Sequence, residues 1–371
     1  MIHVIKKNRM KKVIVFLIAC IFIATSISYA EHLKIGTTYS QKQSEYLSQD
    51  WKKVYASILE IGFDVLRLGA YWDEIEKKEG IYDFDNLDWQ IEQAKKKSIS
   101  VLLTVGMKAP RWPEYHIPAW VLRNAKLSAG QDVSRDNYLK EKTLKFVKTV
   151  VERYDNESII KWWQVENEPL DRSGPKHWWI GRNFLKEEVE LVRSIDTKKR
   201  PIVINLATYP NKVLHVIARL SSPTYPVTNA LPLCDILGIN IYPTVGHKLW
   251  NLKLYFWSKP GERMKCYSSV INKAHRAGKK VWVTELQAEP WEPGELVHKA
   301  EENPKTASTD MILTAFNELQ SLGIDAVLLW GVEYWCYRQE RYEDSSWWRK
   351  AINLIKSKRT QNNKALSSDE R

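Results

Sequence analysis

The chain of 371 residues alternates short apolar segments with amphipathic stretches of helical spacing. We predict strands at Leu33–Thr38, Asp64–Gly69, Ser100–Val105, Ile159–Val165, Pro201–Leu206, Cys234–Pro243, Val281–Glu285 and Ala326–Gly331. The predicted helices are at about Tyr46–Ile61, Leu87–Ser98, Asn137–Tyr154, Asn183–Ile195, Glu262–Ala277, Thr306–Leu322 and Ser346–Ile355. Strands that alternate with helices form parallel sheets, and eight such units match a closed (β/α)8 barrel, or TIM barrel.

We expect a single barrel domain over residues 31–356, because no change of composition and no short repeat marks a second domain. The main rival fold is an open doubly wound sheet, which would carry a glycine-rich phosphate-binding turn after its first strand. The segment from Gly36 to Ser40 has no such pattern. The polar tail, residues 357–371, is predicted to be disordered.

Residues 1–30 have the pattern of an export signal: a basic start, an apolar run from Val13, and small residues before a cleavage position after Ala30. We therefore expect an exported protein that is periplasmic, extracellular or anchored outside the cytoplasm. Two other interpretations are open. Residues 13–30 are nearly long enough to span a bilayer and so to associate with the membrane as an anchor. The stretch ending at Cys20 also resembles a bacterial lipoprotein box, although the residues after it are strongly apolar.

Composition argues against several classes of partner and cofactor. The formal net charge is +12, but no basic stripe has interleaved aromatics, so nucleic-acid binding is not indicated. Cys234, Cys266 and Cys336 form no CxxC pair and no Cys/His cluster, which argues against a disulfide framework and a zinc site. We expect no metal and no cofactor. The 17 Trp are many, and Trp in loops is typical of sugar binding, although any single Trp more commonly fills the core.

Two predicted strands end in a glutamate. The fourth strand leads into Glu166-Asn167-Glu168-Pro169, and the seventh ends in Glu285. Active sites of (β/α)8 barrels lie at the C-terminal ends of the strands. A lone Asn-Glu-Pro tripeptide is equally well explained by solvated acids. Two strand-end carboxyl groups, however, are the pair that glycoside hydrolysis requires, one as proton donor and one as nucleophile or base.

Several motifs lie on predicted strands in the order Arg67, Asn167-Glu168-Pro169, Tyr242, Glu285 and Trp330. An arginine inside an apolar run is rare unless it is paired with a carboxylate. This set resembles the clan A retaining glycoside hydrolases, the (β/α)8 enzymes that include cellulases, mannanases, β-galactosidases and β-xylosidases. The resemblance covers most of the predicted barrel.

The resemblance implies hydrolysis of a β-linked oligo- or polysaccharide by a retaining double displacement. It implies that Glu168 is the acid/base and that Glu285 is the nucleophile. Arg67 would lie beneath Glu285 and Tyr242 would donate a hydrogen bond to it, so that both keep it ionised. Asn167 would bind the 2-hydroxyl group of the sugar.

Loops after the third, sixth and seventh strands are expected to build the substrate cleft. Trp112 and Trp291 lie in two of these loops and are candidate sugar-stacking residues. The aromatic stretch Trp250–Trp257 is a third candidate, or alternatively a local cluster or a membrane-facing surface. Many clan members carry a histidine at the end of the third strand, where Thr104–Met107 has none, and His116 is the candidate substitute.

Other supporting residues keep two interpretations open. Trp330 would form the floor of the sugar subsite, but Trp330 and Tyr242 are alternatively plain core residues. Arg67 is alternatively a buried ion pair that only supports the barrel. Glu166 alternates with Asn167 along the strand, so it is expected to face away as a partner of Arg67 or of a helix residue.

The catalytic assignment also has rivals. Glu289 and Glu292 follow Glu285 in the same loop, and either is an alternative nucleophile. A non-catalytic carbohydrate-binding or cell-envelope protein is possible on the same barrel, although loss of a carboxyl group would signal it and both are present. A membrane-anchored assembly protein rests only on the N-terminal segment. The implied partner is a carbohydrate, and neither its identity nor the oligomeric state is indicated.

Overall fold

The computed structural model describes residues 33–369 except 213, 215, 217–225 and 294–303, so the predicted signal or anchor segment lies outside the described residues. The strands are β1 (Lys34–Thr38), β2 (Val65–Gly69), β3 (Ser100–Val105), β4 (Ile160–Val165), β5 (Ile202–Thr208), β6 (Ile236–Ile241), β7 (Thr244–Leu249), β8 (Leu252–Trp257), β9 (Lys280–Gln287) and β10 (Ala326–Trp330). Strands β7 and β8 form an antiparallel hairpin. The other eight close into a parallel barrel in chain order, with β1 paired to both β2 and β10. The predicted (β/α)8 barrel is confirmed.

The helices among the described residues are α1 (Gln41–Tyr46), α2 (Trp51–Leu59), α3 (Trp72–Ile75), α4 (Asp85–Lys96), α5 (Ala119–Leu122), α6 (Asn137–Tyr154), α7 (Arg182–Ile195), α8 (Pro226–Ala230), α9 (Pro260–Arg276), α10 (Thr309–Gln320), α11 (Val332–Tyr342) and α12 (Ser346–Asp369). Their buried faces pack on the outer surface of the barrel. In the part of the chain that the structure covers, no helix has the length and apolar character needed to cross a bilayer.

The barrel strands lie within two residues of their predicted bounds, whereas other elements differ more. The predicted helix Tyr46–Ile61 is divided into α1 and α2, because the Asp50 side chain caps a new helix by accepting from Lys52 N and Lys53 N. The stretch after Tyr242, predicted as a loop, forms the β7–β8 hairpin. Helix α12 continues through residues 357–369, in the tail that was predicted to be disordered.

The interior of the barrel changes from apolar to polar along the strands. A separate apolar cluster fills the end where the strands begin, and it comprises Val65, Leu102, Val203, Ile236, Trp282, Ala326 and Leu328, with Trp162 packed against it. Side chains alternate across a strand, so the next inward position lies two residues further on. At that position β2 carries Arg67, β4 carries Gln164 and β5 carries Asn205, all nearly fully buried. This polar layer supports the C-terminal mouth of the barrel.

Candidate active site

Strand β9 brings Glu285 into the barrel through an irregularity in its pairing. Simple alternation after Trp282 and Thr284, which face inward, would turn Glu285 outward. The register of β9 shifts relative to both neighbours between Val283 and Leu286, with Asn240 of β6 pairing with Glu285. A bulge of this kind redirects a side chain, and Glu285 consequently reaches the polar layer.

Glu285 is held by one cation and one hydroxyl group. Arg67 Nη1 lies 2.7 Å from Glu285 Oε1, and Tyr242 Oη donates to Glu285 Oε2 at 2.7 Å. Burial raises the pKa of the Glu285 carboxyl group, while the charge of Arg67 and both hydrogen bonds oppose that rise. Each carboxyl oxygen therefore has a strong donor, as a stable carboxylate requires.

Arg67 also connects Glu285 to strand β4. Its Nε donates to Gln164 Oε1 at 2.7 Å, and its Nη2 donates to Asn167 Oδ1 at 2.5 Å. The side chain is fully buried. The carboxylate partner predicted for Arg67 is thus Glu285 and not Glu166, and the arginine fixes the distance between the two strand ends that carry the candidate catalytic pair.

Two asparagines, which the sequence analysis missed, hold the acid/base candidate. Asn240 Nδ2 donates to Glu168 Oε1 at 2.7 Å, and Asn205 Oδ1 accepts from Glu168 N at 2.8 Å. Asn205 Nδ2 also donates to Asn167 Oδ1 at 2.9 Å. Both asparagines are polar side chains inside apolar strand runs, which is the same signal that drew attention to Arg67.

The pKa of the Glu168 carboxyl group is raised well above its ordinary value. Burial is the largest cause, the nearby Glu285 and Glu114 carboxyl groups add to it, and Lys108 opposes it. The side-chain donor to Glu168 is the neutral amide of Asn240. Glu168 is therefore suited to carry a proton near neutral pH, while Glu285 beside it has a cation for a partner.

Asn167 and Glu166 point in different directions, as their alternation predicted. Both hydrogen bonds of Asn167 Oδ1 are internal, and its Nδ2 makes none among the described residues. Glu166 turns outward, where it accepts from Met107 N and Lys108 N and its carboxyl group lies beside that of Glu188 in α7, so its partners do not include Arg67. The Nδ2 group of Asn167 is free to meet a sugar hydroxyl group.

The alternative nucleophiles have other partners. Glu289 forms a buried ion pair with Arg111, and Glu292 Oε1 accepts from the backbone N–H groups of Lys305 and Thr306. Glu292 Oε2 also accepts from Tyr255. Glu285 is the acid of this strand end that Arg67 and Tyr242 hold, so the geometry favours it as the nucleophile.

Trp330 and His116 are both buried beside Arg111. The Arg111 guanidinium lies 4.0 Å from the centre of the Trp330 ring, which is 5% exposed, and so covers one of its faces. His116 is fully buried, with Nε2 3.3 Å from the Arg111 carbonyl oxygen and Nδ1 3.6 Å from Asp73 Oδ2. His116 thus supports the Arg111 loop, and the sugar-floor role of Trp330 stays a prediction.

Four of the tryptophans in or near the predicted cleft loops are exposed. Trp112 is 46% exposed and Trp291 is 41% exposed, and the Trp291 ring packs edge-on against Tyr242 at 5.2 Å. Trp250 and Trp257 of the β7–β8 hairpin are more exposed still. Trp291 therefore contacts Tyr242, the residue that donates a hydrogen bond to Glu285.

Comparisons with known proteins agree with the first half of this site. A glycoside hydrolase family 42 model, described as β-galactosidase, matches residues 39–180, which include Arg67 and Glu168 but not Glu285. The β-galactosidase Bga of Halorubrum lacusprofundi is 25% identical over 144 residues, 37% of this chain and 20% of that protein. A mannan endo-1,4-β-mannosidase of Solanum lycopersicum is 26% identical over 160 residues, 37% of this chain and 38% of that protein.

Solved structures resemble the whole barrel. The GH42 β-galactosidase Gan42B matches with a TM-score of 0.60 at 13% identity, covering 88% of this chain and 56% of that one. A β-glucosidase from Exiguobacterium marinum matches with a TM-score of 0.52 at 15% identity, covering 81% and 88%. The chain spans about a fifth of the β-galactosidase relatives that it matches in sequence. The resemblance to clan A barrels is confirmed.

Proposed function

We propose that this protein is a retaining glycosidase that cleaves β-linked sugars, with Glu285 as nucleophile and Glu168 as acid/base. The observation that carries the proposal is the contrast in partners within one pair of carboxyl groups. Glu285 is bound by Arg67 and Tyr242, while the Glu168 side chain is bound by the neutral Asn240. A double displacement needs this combination of one ionised and one protonated group.

In the first step, a Glu285 carboxylate oxygen forms a bond to the anomeric carbon while the bond to the leaving oxygen breaks. Glu168 gives its proton to that oxygen, so the leaving group departs as a neutral alcohol. In the second step, Glu168, now a carboxylate, takes a proton from water, and the water oxygen displaces Glu285. Both glutamates return to their initial state, and the anomeric configuration is retained.

Arg67 and Asn167 have supporting roles in this proposal. Arg67 stabilises the carboxylate that attacks and later leaves, because its charge lies 2.7 Å from Glu285 Oε1. The free Nδ2 of Asn167 would donate to the sugar 2-hydroxyl group, a bond that strengthens as the transition state forms. Both roles are performed by side chains of the protein itself.

β-Galactosides and β-mannans are the first substrates to test, because relatives with partial sequence matches are named for activity on them. A panel of nitrophenyl β-glycosides and β-linked oligosaccharides would be assayed with wild type and Glu285→Gln in parallel. Hydrolysis by wild type alone, with the β-anomer appearing first in proton NMR spectra, is the expected result. First-formed α-anomer contradicts retention, and glycan binding without turnover favours a non-catalytic carbohydrate-binding protein.

The exposed tryptophans are proposed to bind sugar units next to the cleaved bond. Trp291→Ala should weaken binding of long oligosaccharides several-fold and leave the melting temperature almost unchanged, since its ring is 41% exposed. Trp112→Ala should behave alike. Ile81→Ala, at a residue 64% exposed and outside the three predicted cleft loops, serves as control. Unfolding of both tryptophan variants, with normal affinity in the folded remainder, would place these residues in the core.

We further propose that residues 1–30 direct export, as their basic and apolar pattern indicates. Fractionation of producing cells separates the interpretations. A mature N-terminus at residue 31 in the exported fraction supports cleavage, whereas detergent-dependent release of the full chain supports an anchor. A chain found only in the cytoplasm would contradict both.

A further inference from the structure

A fully buried lysine lies beside the acid/base candidate, in the loop that follows β3. Lys108 Nζ donates to the backbone carbonyl oxygen of Glu168 at 2.7 Å and lies 3.2 Å from Glu114 Oε2. The Tyr115 ring is 5.6 Å away. An unpaired ammonium group is too costly to bury, so these partners fix the lysine in this place.

Lys108 also bonds the same turn through its backbone. Lys108 N donates to Glu166 Oε2 at 2.6 Å, and Asn167 N donates to Lys108 O at 2.9 Å. One residue thus contacts three consecutive residues of the turn after β4. That turn has positive φ at Glu166 (61°) and Glu168 (44°). Because such backbone costs of the order of 1 kcal/mol or more per residue, it persists only where its surroundings hold it.

The charge of Lys108 acts on Glu168 as well. The titratable and charged groups around Glu168 are Glu285 and Arg67 below it, Lys108 and Glu114 after β3, Asp171 after β4, Tyr209 after β5 and Tyr242 after β6. The three acids raise the pKa of Glu168, and Lys108 lowers it. Lys108 therefore limits a rise in pKa that burial and like charges would otherwise make larger.

We propose that Lys108 is a positioning residue for the acid/base, which aims Glu168 by bonding the turn around it and places a positive charge behind its carboxyl group. The proposal rests on the proposed function, since it assigns Lys108 to the proton transfer of that reaction. Lys108 touches neither sugar nor reacting atoms in this scheme and acts through Glu168. It occupies the loop after the third strand, where the sequence lacks the histidine of related enzymes.

Lys108→Met tests the proposal, because methionine keeps the apolar length and removes the charge and the Nζ donor. Glycosides with poor leaving groups should be cleaved at least about 10-fold more slowly, and activated aryl glycosides much less so, because general-acid help matters most for poor leaving groups. The alkaline limb of the kcat/KM profile should move to higher pH, since Glu168 would keep its proton longer. Lys95→Met, at an exposed lysine paired with Glu157, is the matched control.

Glu114→Gln should move the alkaline limb of the kcat/KM profile in the opposite direction from Lys108→Met. It is also a milder change, because Glu114 is partly exposed. Glu114 raises the pKa of both Glu168 and Glu285, so its neutralisation should move both limbs to lower pH. Lys108→Met should move the alkaline limb alone. A purely structural lysine would lower activity at every pH and for every substrate without moving either limb. Should Lys108→Met fail to fold, Lys108→Gln is measured in its place, and an unmoved alkaline limb there would overturn the proposal.

A second readout does not depend on turnover. Glutamate labelled with 13C at the carboxyl carbon allows the titration of Glu168 to be followed by NMR, with Glu168→Gln for assignment. We expect a higher titration midpoint in Lys108→Met than in wild type. An unchanged midpoint, together with an even loss across leaving groups, would refute the role of Lys108. A wild-type protein that hydrolyses no glycoside would refute the proposed function, while the NMR midpoint would still decide whether Lys108 acts on Glu168.

Discussion

The two candidate catalytic glutamates are the same residue type in two different environments. Glu285 has a cation and a phenol hydroxyl group as donors, at 2.7 Å each. Glu168 has one neutral amide donor and faces other acids, which raise its pKa further. Burial raises the pKa of both carboxyl groups. The partners, and not the residue type, therefore decide which glutamate keeps the proton.

The two glutamates are also positioned by different means. Glu285 sits within a barrel strand, where a bulge turns it inward and side-chain donors hold its oxygens. Glu168 follows its strand in a turn with positive φ, and the side chains of Asn205 and Lys108 hold the backbone N–H and carbonyl groups of Glu168. The proposed nucleophile is thus fixed by groups that stabilise charge, and the proposed acid/base by groups that fix its direction.

The largest expected effect is the loss of the ionised member of the pair. Glu285→Gln removes the attacking oxygen, so kcat should fall by on the order of 10⁵-fold, as for other nucleophile losses. The unfolding midpoint should change far less, since the amide remains close to Arg67 and Tyr242. Glu190→Gln, at an exposed glutamate paired with Lys186, is the control. Residual turnover near the wild-type level would assign the nucleophile elsewhere.

Loss of the protonated member should be selective instead of complete. Glu168→Gln removes general-acid help, worth about 10²–10⁴-fold, for substrates with poor leaving groups. Activated aryl glycosides should form the glycosyl-enzyme almost normally and then accumulate it, because no base activates water. A burst of released phenol measures this directly. Equal loss for all leaving groups would show that the two glutamates do not divide the roles in this way.

Tyr242→Phe alters only the Glu285 side of the comparison. A charge-assisted hydrogen bond contributes about 1.5–3 kcal/mol, so kcat/KM should fall roughly 10- to 100-fold. Tyr242 lowers the pKa of Glu285, so its loss should move the acidic limb of the pH profile to higher pH. The alkaline limb should stay in place. Tyr154→Phe, which removes a hydroxyl group bonded to Asp88 between α4 and α6, is the control, and a shift of the alkaline limb would contradict the separation.

The sequence predicts that Arg67, Asn167, Glu168, Tyr242 and Glu285 lie at one end of the barrel, but it does not predict the geometry that brings them together. Strand positions followed from apolar periodicity, and Glu285 was assigned although plain alternation after Trp282 would have turned it outward. The bulge that corrects this depends on the register with β6 and β10, which local sequence does not specify. The positive φ of Glu166 and Glu168 could not be predicted either, because glutamate has no preference for that conformation.

Contacts between loops that are distant in the chain could not be predicted from the sequence either. Arg111 covers Trp330 from a loop far away in the chain, and nothing local to either residue indicates the pairing. The sequence could have indicated a role for Asn205 and Asn240, since a buried polar side chain in an apolar strand needs a partner. The same reasoning predicted that Arg67 would pair with a carboxylate. The structure was needed to show that this carboxylate is Glu285 and not Glu166.

A second pair of carboxyl groups, behind the proposed acid/base, should affect stability more than activity. Glu166 and Glu188 are both fully buried, and each carboxyl group affects the pKa of the other. Glu166 accepts from Met107 N at 2.9 Å and from Lys108 N at 2.6 Å, so its ionised form has donors that Glu188 lacks among the described residues. Burial raises the pKa of Glu166 to about 7, and burial with the Glu166 charge raises that of Glu188 further.

Carboxyl groups with raised pKa bind protons more tightly in the folded state, so they stabilise the fold at low pH. That contribution is lost as the pH rises from the ordinary pKa near 4.5 through about 7, and at still higher pH for Glu188.

Glu188→Gln removes the titrating carboxyl group and leaves an amide of similar size beside Glu166. The free energy of unfolding of wild type should therefore fall by on the order of 1–3 kcal/mol between pH 5 and 9 relative to the variant. Urea unfolding across that range measures it, with Glu190→Gln, on the exposed side of α7, as control. Parallel stability curves for wild type and Glu188→Gln would show that Glu188 does not titrate in this range.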